Sequence, residues 1–140
     1  MRLWHYDLID VLPQKQLVAQ WRELLAIKGA IEKNGTPNHR LVNKIMDYRI
    51  YVLTSYAESV IEEMRKRGYK PNNSKVIDML NWESDLFGNK TLSDFKANWH
   101  NDRYFMQCYY NLQEKYDCDI LTDDEWLKIE QRWCSWNDFI

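Results

Sequence analysis

Glycine and histidine are scarce in this 140-residue chain, which has four glycines and three histidines. The glycines form no glycine-rich phosphate-binding loop, and the chain has no Gly-x-Ser-x-Gly motif of the kind that carries a nucleophilic serine. A His-Glu-x-x-His zinc motif is also absent, and a histidine-rich metal site is therefore not expected. The commonest sequence signatures of nucleotide hydrolysis, serine hydrolysis and zinc proteolysis are thus missing.

Cysteines and long hydrophobic runs are scarce as well. Cys108, Cys118 and Cys134 are odd in number, and their spacings match neither a paired disulfide framework nor a zinc motif. We therefore expect reduced thiols. The first residues lack the apolar segment of a signal peptide, and no run approaches the roughly eighteen apolar residues of a membrane span. These features predict a cytoplasmic protein that does not associate with membranes.

The chain lacks the positive charge that is common in nucleic-acid binders. Nineteen Lys and Arg residues stand against 21 Asp and Glu residues, which gives a net charge of -2. Basic residues are concentrated in the first half and part of the second half is acidic, so any nucleic-acid binding requires a local basic surface. Seven Trp and nine Tyr residues are available to fill a core or to stack on bases.

Helical periodicity dominates the pattern of apolar residues, with no alternating strands. We predict an all-α fold, a single compact domain of residues 1–140 with about four helices. Residues 1–12 look extended, and a first helix is expected to begin near Pro13 and to end at Asn34-Gly35. Residues 41–68 form either one long helix or two helices joined near Asp47.

The second half predicts two more helices after a loop. Residues 70–90 are polar and contain only a short apolar piece, which predicts a loop with one helical turn. A third helix is predicted over about residues 98–116. A fourth begins at Thr122, where Thr122-Asp-Asp-Glu125 is a capping box.

The candidate reactive groups that remain are an α-amine, a carboxylate and an arginine side chain. Methionine is usually retained before a residue as large as Arg2, so Met1 is expected to carry a free α-amine. An α-amine is less basic than a lysine side chain, and a useful fraction is neutral near pH 7. Glu23 could move protons beside such a nucleophile, and Arg22 could hold a phosphate. By itself, an adjacent Arg and Glu on a helix is more often a surface or structural feature.

One segment changes this interpretation. The run Leu12-Pro-Gln-Lys-Gln-Leu-Val-Ala-Gln-Trp-Arg-Glu-Leu24, followed by Gly29-Ala30, resembles the pyrimidine-dimer DNA glycosylase family typified by phage endonuclease V. Met64-Arg-Lys-Arg-Gly-Tyr69 is similar to a helix end of the same family. The opening Met-Arg-Leu-Trp-His and the segment His100-Asn-Asp-Arg-Tyr104 also resemble uncharacterised bacterial and phage members.

The resemblance implies an endonuclease V-like fold and a glycosylase with abasic-site lyase activity on damaged double-stranded DNA. It implies that the amine of Met1 attacks C1′ of the damaged nucleotide, that a Schiff base forms, and that Glu23 is the catalytic carboxylate. Arg22 would contact a phosphate or base, and Arg2 would lie beside the sugar. No metal or organic cofactor is implied. The full set of predicted substrate-binding residues is Arg2, His5, Lys28, His39, Arg40 and Lys44.

The chain also departs from the family pattern. Met1 stands where well-studied members expose a small residue. Gln16 replaces a family histidine, and Ala26 occupies the place of a helix arginine, with Lys28 nearby. The C-terminal segment, residues 133–140, keeps aromatic residues but lacks positive charge.

Two alternatives remain open at this point. In the first, the same scaffold is a binding protein whose Arg2, Arg22 and Glu23 pocket holds a nucleotide or a nucleotide-derived signal without breaking a bond. In the second, the chain is a helical interaction module that uses exposed Trp and Tyr residues. The acidic charge favours nucleotide binding, whereas the motif favours the enzyme.

Overall fold

Six α-helices and two short 3₁₀ helices make up most of residues 1–138, which this computed structural model describes. The 3₁₀ helices span Tyr6–Val11 and Val42–Asp47, and the α-helices are α1 (Gln14–Asn34), α2 (Ile50–Lys66), α3 (Asn73–Leu80), α4 (Leu92–Asn98), α5 (Asp102–Asp117) and α6 (Asp123–Asn137). The predicted all-α class is confirmed, but the described chain has eight helices rather than about four. The last two residues of the C-terminal aromatic segment, Phe139 and Ile140, lie outside the described residues.

The first α-helix follows its sequence signals closely. Pro13 is its N-cap, and the buried side chains recur at intervals of three and four, so that one face of α1 turns to the core. The helix ends at Gly35, whose φ of 79° places it in the left-handed region, and its N–H donates to the Ile31 carbonyl at 2.8 Å. Both predicted ends of α1 are therefore confirmed.

Residues 41–68 form two helices joined near Asp47, which is one of the two predicted forms, and not one long helix. Tyr48 and Arg49 are extended, and Arg49 N–H donates to the Lys90 carbonyl at 2.8 Å. Tyr48 and Lys90 form the one isolated β-bridge in the described chain. Gly88 passes so close to this break that a Cβ there would collide with the Asp47 carbonyl. Contacts with a distant loop therefore replace helical hydrogen bonds at this point.

Three other boundaries differ from the sequence predictions. Residues 1–12 are not extended throughout, because a 3₁₀ helix begins at Tyr6. The segment predicted as a loop with one turn contains the two-turn helix α3, capped by the side chain of Asn72. The predicted helix over residues 98–116 begins only at Asp102, because Asn101 caps a new helix there. The preceding helix α4 was not predicted, although Thr91 begins it with a capping box.

A single hydrophobic core draws on every helix of the described chain. The amino-terminal segment is part of this core, since Leu3 is fully buried and Trp4 nearly so. Helix α1 packs on α2, and α5 packs on α6. The three cysteines are free, with Cys108 buried and the other two exposed. Among residues 1–138, no helix combines the length and the hydropathy that a bilayer span requires. The core therefore fixes the amino terminus between α1 and α5.

Candidate active site

Side chains from three helices hold the backbone of the amino-terminal segment. The Tyr104 hydroxyl on α5 donates to the Leu3 carbonyl at 2.7 Å, and the Tyr56 hydroxyl on α2 donates to the Trp4 carbonyl at 2.5 Å. Gln20 on α1 accepts from Trp4 N–H at 2.8 Å. The segment is therefore bound as a strand would be, but by side chains instead of a neighbouring strand.

Gln20 is the centre of this network. Its side chain is fully buried, and its Nε2 donates both to the Arg2 carbonyl at 3.0 Å and to Oε2 of Glu23 at 3.3 Å. Its Oε1 accepts from Trp4 N–H and lies 2.9 Å from the Tyr56 hydroxyl. Both hydrogens of the amide nitrogen and one lone pair of Oε1 are thus paired. Because residues three apart share a helix face, Gln20 links the terminus to the Glu23 carboxylate.

A cleft of about 430 Å³ opens beside this network, and we call it the terminal cleft. Its lining residues come from the terminus, α1 and α5, and they are Met1, Arg2, Trp4, Lys15, Gln16, Ala19, Glu23, Asn111 and Lys115. Three predicted residues therefore meet here: Met1, half of whose surface is exposed, Arg2 and the half-buried Glu23. The structure adds Lys15 and Lys115, which the sequence analysis did not select.

The terminal cleft is positively charged although the chain as a whole is acidic. Arg2, Lys15 and Lys115 contribute three positive side chains, against the single carboxylate of Glu23. The Arg2 guanidinium lies 5.3 Å from the centre of the Trp4 ring and 3.8 Å from the Cys108 sulfur. Burial raises the pKa of the Cys108 thiol, which keeps it neutral near pH 7. Cys108 therefore adds no negative charge beside the Arg2 guanidinium.

The other predicted residues on α1 lie outside this cleft. Arg22 is exposed next to Glu23 in the sequence but does not line the cleft. Lys28 pairs with Glu32 at 2.8 Å, and its ammonium lies 5.3 Å from the centre of the Trp82 ring. Neither residue is brought together with Met1, and the substrate contacts expected of them remain predictions.

The predicted substrate-binding residues around the second 3₁₀ helix are also separate from the terminal cleft. His39 is half-buried, and its backbone N–H donates to Oδ1 of Asn43 at 3.0 Å. Arg40 and Lys44 are exposed. Lys44 lines a different groove together with Trp99 and residues at the start of α5. Substrate binding by these three residues likewise remains a prediction.

His5 lies in a buried aromatic cluster. Only 3% of its surface is exposed, and its ring stacks on His100 with centroids 5.3 Å apart. Its Nδ1 accepts from Asp7 N–H, and Nδ1 of His100 accepts from Tyr6 N–H, both at 3.1 Å. Burial lowers the pKa of His5 to about 4 and holds that of His100 well below its usual value. Both rings are therefore neutral near pH 7 and support the amino-terminal segment, while the predicted substrate contact of His5 remains a prediction.

Sequence reasoning missed the residues that depend on distant contacts. The three-residue spacing of Gln20 and Glu23 was a usable signal, because it places both on one face of α1. Asn111 and Lys115 had no such signal, since only folding brings residues of α5 to the cleft that α1 lines. Within residues 1–138, no group of three His, Cys, Asp or Glu side chains is arranged to hold a metal ion.

Comparison with known proteins gives one finding on this region. Residues 1–76, more than half of the chain, match the family described as pyrimidine dimer DNA glycosylase. No curated protein and no solved structure matches the chain. The matched residues include Met1, Arg2, Gln20 and Glu23, whereas Lys115 and the rest of α5 lie beyond them.

Proposed function

The chain belongs to the pyrimidine dimer DNA glycosylase family, and on that basis we propose that it is a DNA glycosylase with abasic-site lyase activity on damaged double-stranded DNA. We also propose that its helical domain is of the endonuclease V type. The observation that carries this proposal is the terminal cleft, which Met1, Arg2 and Glu23 line together.

In the proposed reaction, the amine of Met1 attacks C1′ of the damaged nucleotide. A nitrogen–carbon bond forms as the glycosidic bond breaks, and the base leaves with a proton. Glu23 accepts the proton that the amine loses and returns it to O4′ as the C1′–O4′ bond of the sugar ring breaks, which leaves the positive iminium of the Schiff base beside the Glu23 carboxylate. Glu23 then takes a proton from C2′, and the C3′–O bond breaks with the phosphate as the leaving group. Water finally hydrolyses the imine and restores the amine.

Gln20 supports this role by joining the two reacting groups. One amide nitrogen donates to the Arg2 carbonyl and to the Glu23 carboxylate, so the terminal backbone and the catalytic side chain share a fixed partner. Holding reacting groups in position is a large part of catalysis, because a misplacement of about 1 Å can reduce the rate about a hundredfold. The buried amide thus preorganises the site.

The charge of the cleft supports binding of a nucleic-acid backbone. Arg2, Lys15 and Lys115 place positive side chains around one carboxylate. Neutralising DNA phosphates releases condensed counterions, which supplies much of the affinity of DNA-binding proteins. A local positive surface therefore allows DNA binding by a chain whose net charge is -2.

Borohydride trapping tests the proposed chemistry directly. Duplex oligonucleotides that contain an abasic site or a cyclobutane pyrimidine dimer are incubated with the protein and reduced, which converts a Schiff base into a covalent adduct. Mass spectrometry of the free protein first establishes that Met1 carries an unmodified amine. Glu23→Gln and a protein with a chemically blocked terminus are compared with wild type, and Glu58→Gln, an exposed glutamate on α2, is the matched control.

The expected result is an adduct with wild type and with Glu58→Gln that disappears when the terminus is blocked. Glu23→Gln is expected to lose strand cleavage. An adduct on the abasic DNA alone would retain the lyase and reject the glycosylase. If the folded protein forms no adduct on either duplex, the enzyme proposal is rejected, and nucleotide binding at the terminal cleft becomes the function to test by titration.

A further inference from the structure

A second groove lies beside the start of α5 and has no part in the chemistry above. Its volume is about 220 Å³, and we call it the α5 groove. Its lining residues are Leu41, Lys44, Asn98, Trp99, Asn101, Arg103, Tyr104 and Gln107. Among these described residues are two positive side chains, Lys44 and Arg103, and no carboxylate. The groove is therefore suited to an anion.

The wall of the α5 groove contains a buried donor without an acceptor. Only 3% of the surface of Trp99 is exposed, and its indole Nε1 is fully buried and has no hydrogen-bond partner among the described residues. Buried polar groups are nearly always paired, so the indole N–H of this groove-lining residue needs an acceptor that the described residues do not supply. An indole N–H only donates, and the ligand must therefore supply an acceptor oxygen.

The other polar groups around the groove match the same ligand. Lys44 and Arg103 are exposed, and neither forms an ion pair within residues 1–138. Asn101 caps α5 by accepting from Tyr104 N–H, which places the positive end of the helix dipole at the groove. Two cations, an indole N–H and a helix start together favour an oxygen-rich anion such as a phosphate.

Helix α5 connects this groove to the terminal cleft. Arg103 and Gln107 line the groove, and Asn111 and Lys115 line the cleft. Neighbours in this series are four residues apart and adjacent on the helix surface, and the row turns by about 120° around the helix axis from Arg103 to Lys115. The twelve residues from Arg103 to Lys115 span about 18 Å at about 1.5 Å per residue. One DNA strand carries a phosphate for about every 3.4 Å of duplex axis, so this distance corresponds to about five base pairs.

We propose that the α5 groove binds a backbone phosphate of the DNA whose damaged nucleotide occupies the terminal cleft, about five base pairs away. This inference rests on the proposed function, and it assigns a binding site whose lining residues, except Leu41 and Lys44, lie beyond the family match at residues 1–76. Lys44 and Arg103 neutralise the phosphate, and Trp99 donates to one of its oxygens.

The salt dependence of DNA binding tests the groove without requiring catalysis. Binding of a 20-base-pair duplex with a central tetrahydrofuran abasic analogue is measured at several salt concentrations for wild type and for the double variant K44A/R103A. The matched control is the double variant R65A/K128A, which removes two exposed cations that line neither the cleft nor the groove. Circular dichroism and thermal unfolding establish that all three proteins fold alike.

The groove variant is expected to reduce the slope of log K against log salt by at least about 0.9, the value for one phosphate contact. Its affinity is expected to fall about tenfold or more, and the control should resemble wild type. On a short duplex that ends about two base pairs from the lesion on each side and whose strands are joined at both ends by uncharged polyethylene glycol linkers, wild type and the groove variant should bind equally. An unchanged slope on the long duplex, or an equal loss on the short duplex, would overturn the proposal.

Nuclear magnetic resonance of the Trp99 indole N–H supplies a readout that needs no variant. The resonance is expected to move downfield with the long duplex and to stay in place with the short one. A shift with inorganic phosphate but not with the long duplex would establish a small-anion site and overturn the DNA assignment.

Borohydride trapping separates the two proposals. Trapping by wild type together with an unchanged salt slope in the groove variant rejects the groove proposal alone. A reduced salt slope without trapping rejects the proposed chemistry alone. Absence of DNA binding by wild type rejects both.

Discussion

Replacing Gln20 by leucine is the substitution that most directly probes how the terminus is held. Leucine is similar in size and suits a buried helix position, so the change removes hydrogen bonds with little change in packing. The Trp4 N–H and the Arg2 carbonyl lose their partner, and the Glu23 carboxylate loses the one amide donor that bonds to it within residues 1–138. The terminal backbone and the Glu23 carboxylate then have no common hydrogen-bond partner.

The expected cost follows from the two backbone groups left unpaired. A buried group without a partner costs about 1–3 kcal/mol; the Trp4 N–H is buried, whereas the Arg2 carbonyl is partly exposed to water, so Gln20→Leu is expected to lower the free energy of unfolding by about 1–3 kcal/mol. This is a large share of the roughly 5–15 kcal/mol that stabilises a domain. If the variant remains folded, the yield of trapped adduct is expected to fall by an order of magnitude or more, because the amine is no longer positioned against Glu23.

Urea denaturation measures the loss of stability, and amide hydrogen exchange at Trp4 measures the loss of the hydrogen bond itself. Gln131→Leu, which changes an exposed glutamine on α6, is the matched control and is expected to stay within about 0.5 kcal/mol of wild type. The reasoning is refuted if Gln20→Leu is as stable as this control, or if the Trp4 amide keeps its protection from exchange.

Three further outcomes are expected. Burial lowers the pKa of His5 from 6.5 to about 4, so the unfolded state binds a proton that the folded state excludes, and the free energy of unfolding should fall by up to about 3 kcal/mol as the pH drops from 6.5 to 4. Urea denaturation across this range measures the fall, and an imidazole resonance of His5 that titrates near pH 6.5 would contradict it. Gly88→Ala should cost about 1–3 kcal/mol because the added Cβ meets the Asp47 carbonyl, whereas Gly29→Ala, in open space on α1, should add up to about 1 kcal/mol. Calorimetry compares the two, and shifts of the same sign would exclude the steric explanation. Thr122→Ala should lower stability by about 1 kcal/mol through loss of the α6 capping box, and Thr122→Ser should restore most of it in the same assay.

Local signals in the sequence predicted the ends of α1 and the start of α6, whereas the local caps of the short helices α3 and α4 were overlooked. The ends of α1 follow from Pro13 and Gly35, and the start of α6 follows from the capping box at Thr122. Apolar spacings of three and four were enough to establish the all-α class. The resemblance in the first half directed attention to Met1, Arg2 and Glu23, and these residues do line one cleft. Their catalytic roles remain proposals.

Tertiary contacts decided the features that depend on residues far apart in the chain. The loop near Lys90 interrupts the helix after Asp47, because its backbone groups replace helical partners there. Packing of α5 against the terminus brings Lys115 to the cleft and makes the local charge positive, which no count of residues reveals. The sequence determined which segments are helical, because helix signals act within a few residues. Only the folded chain decided which side chains meet the terminus, because those hydrogen bonds join residues that are 16 to 101 positions apart.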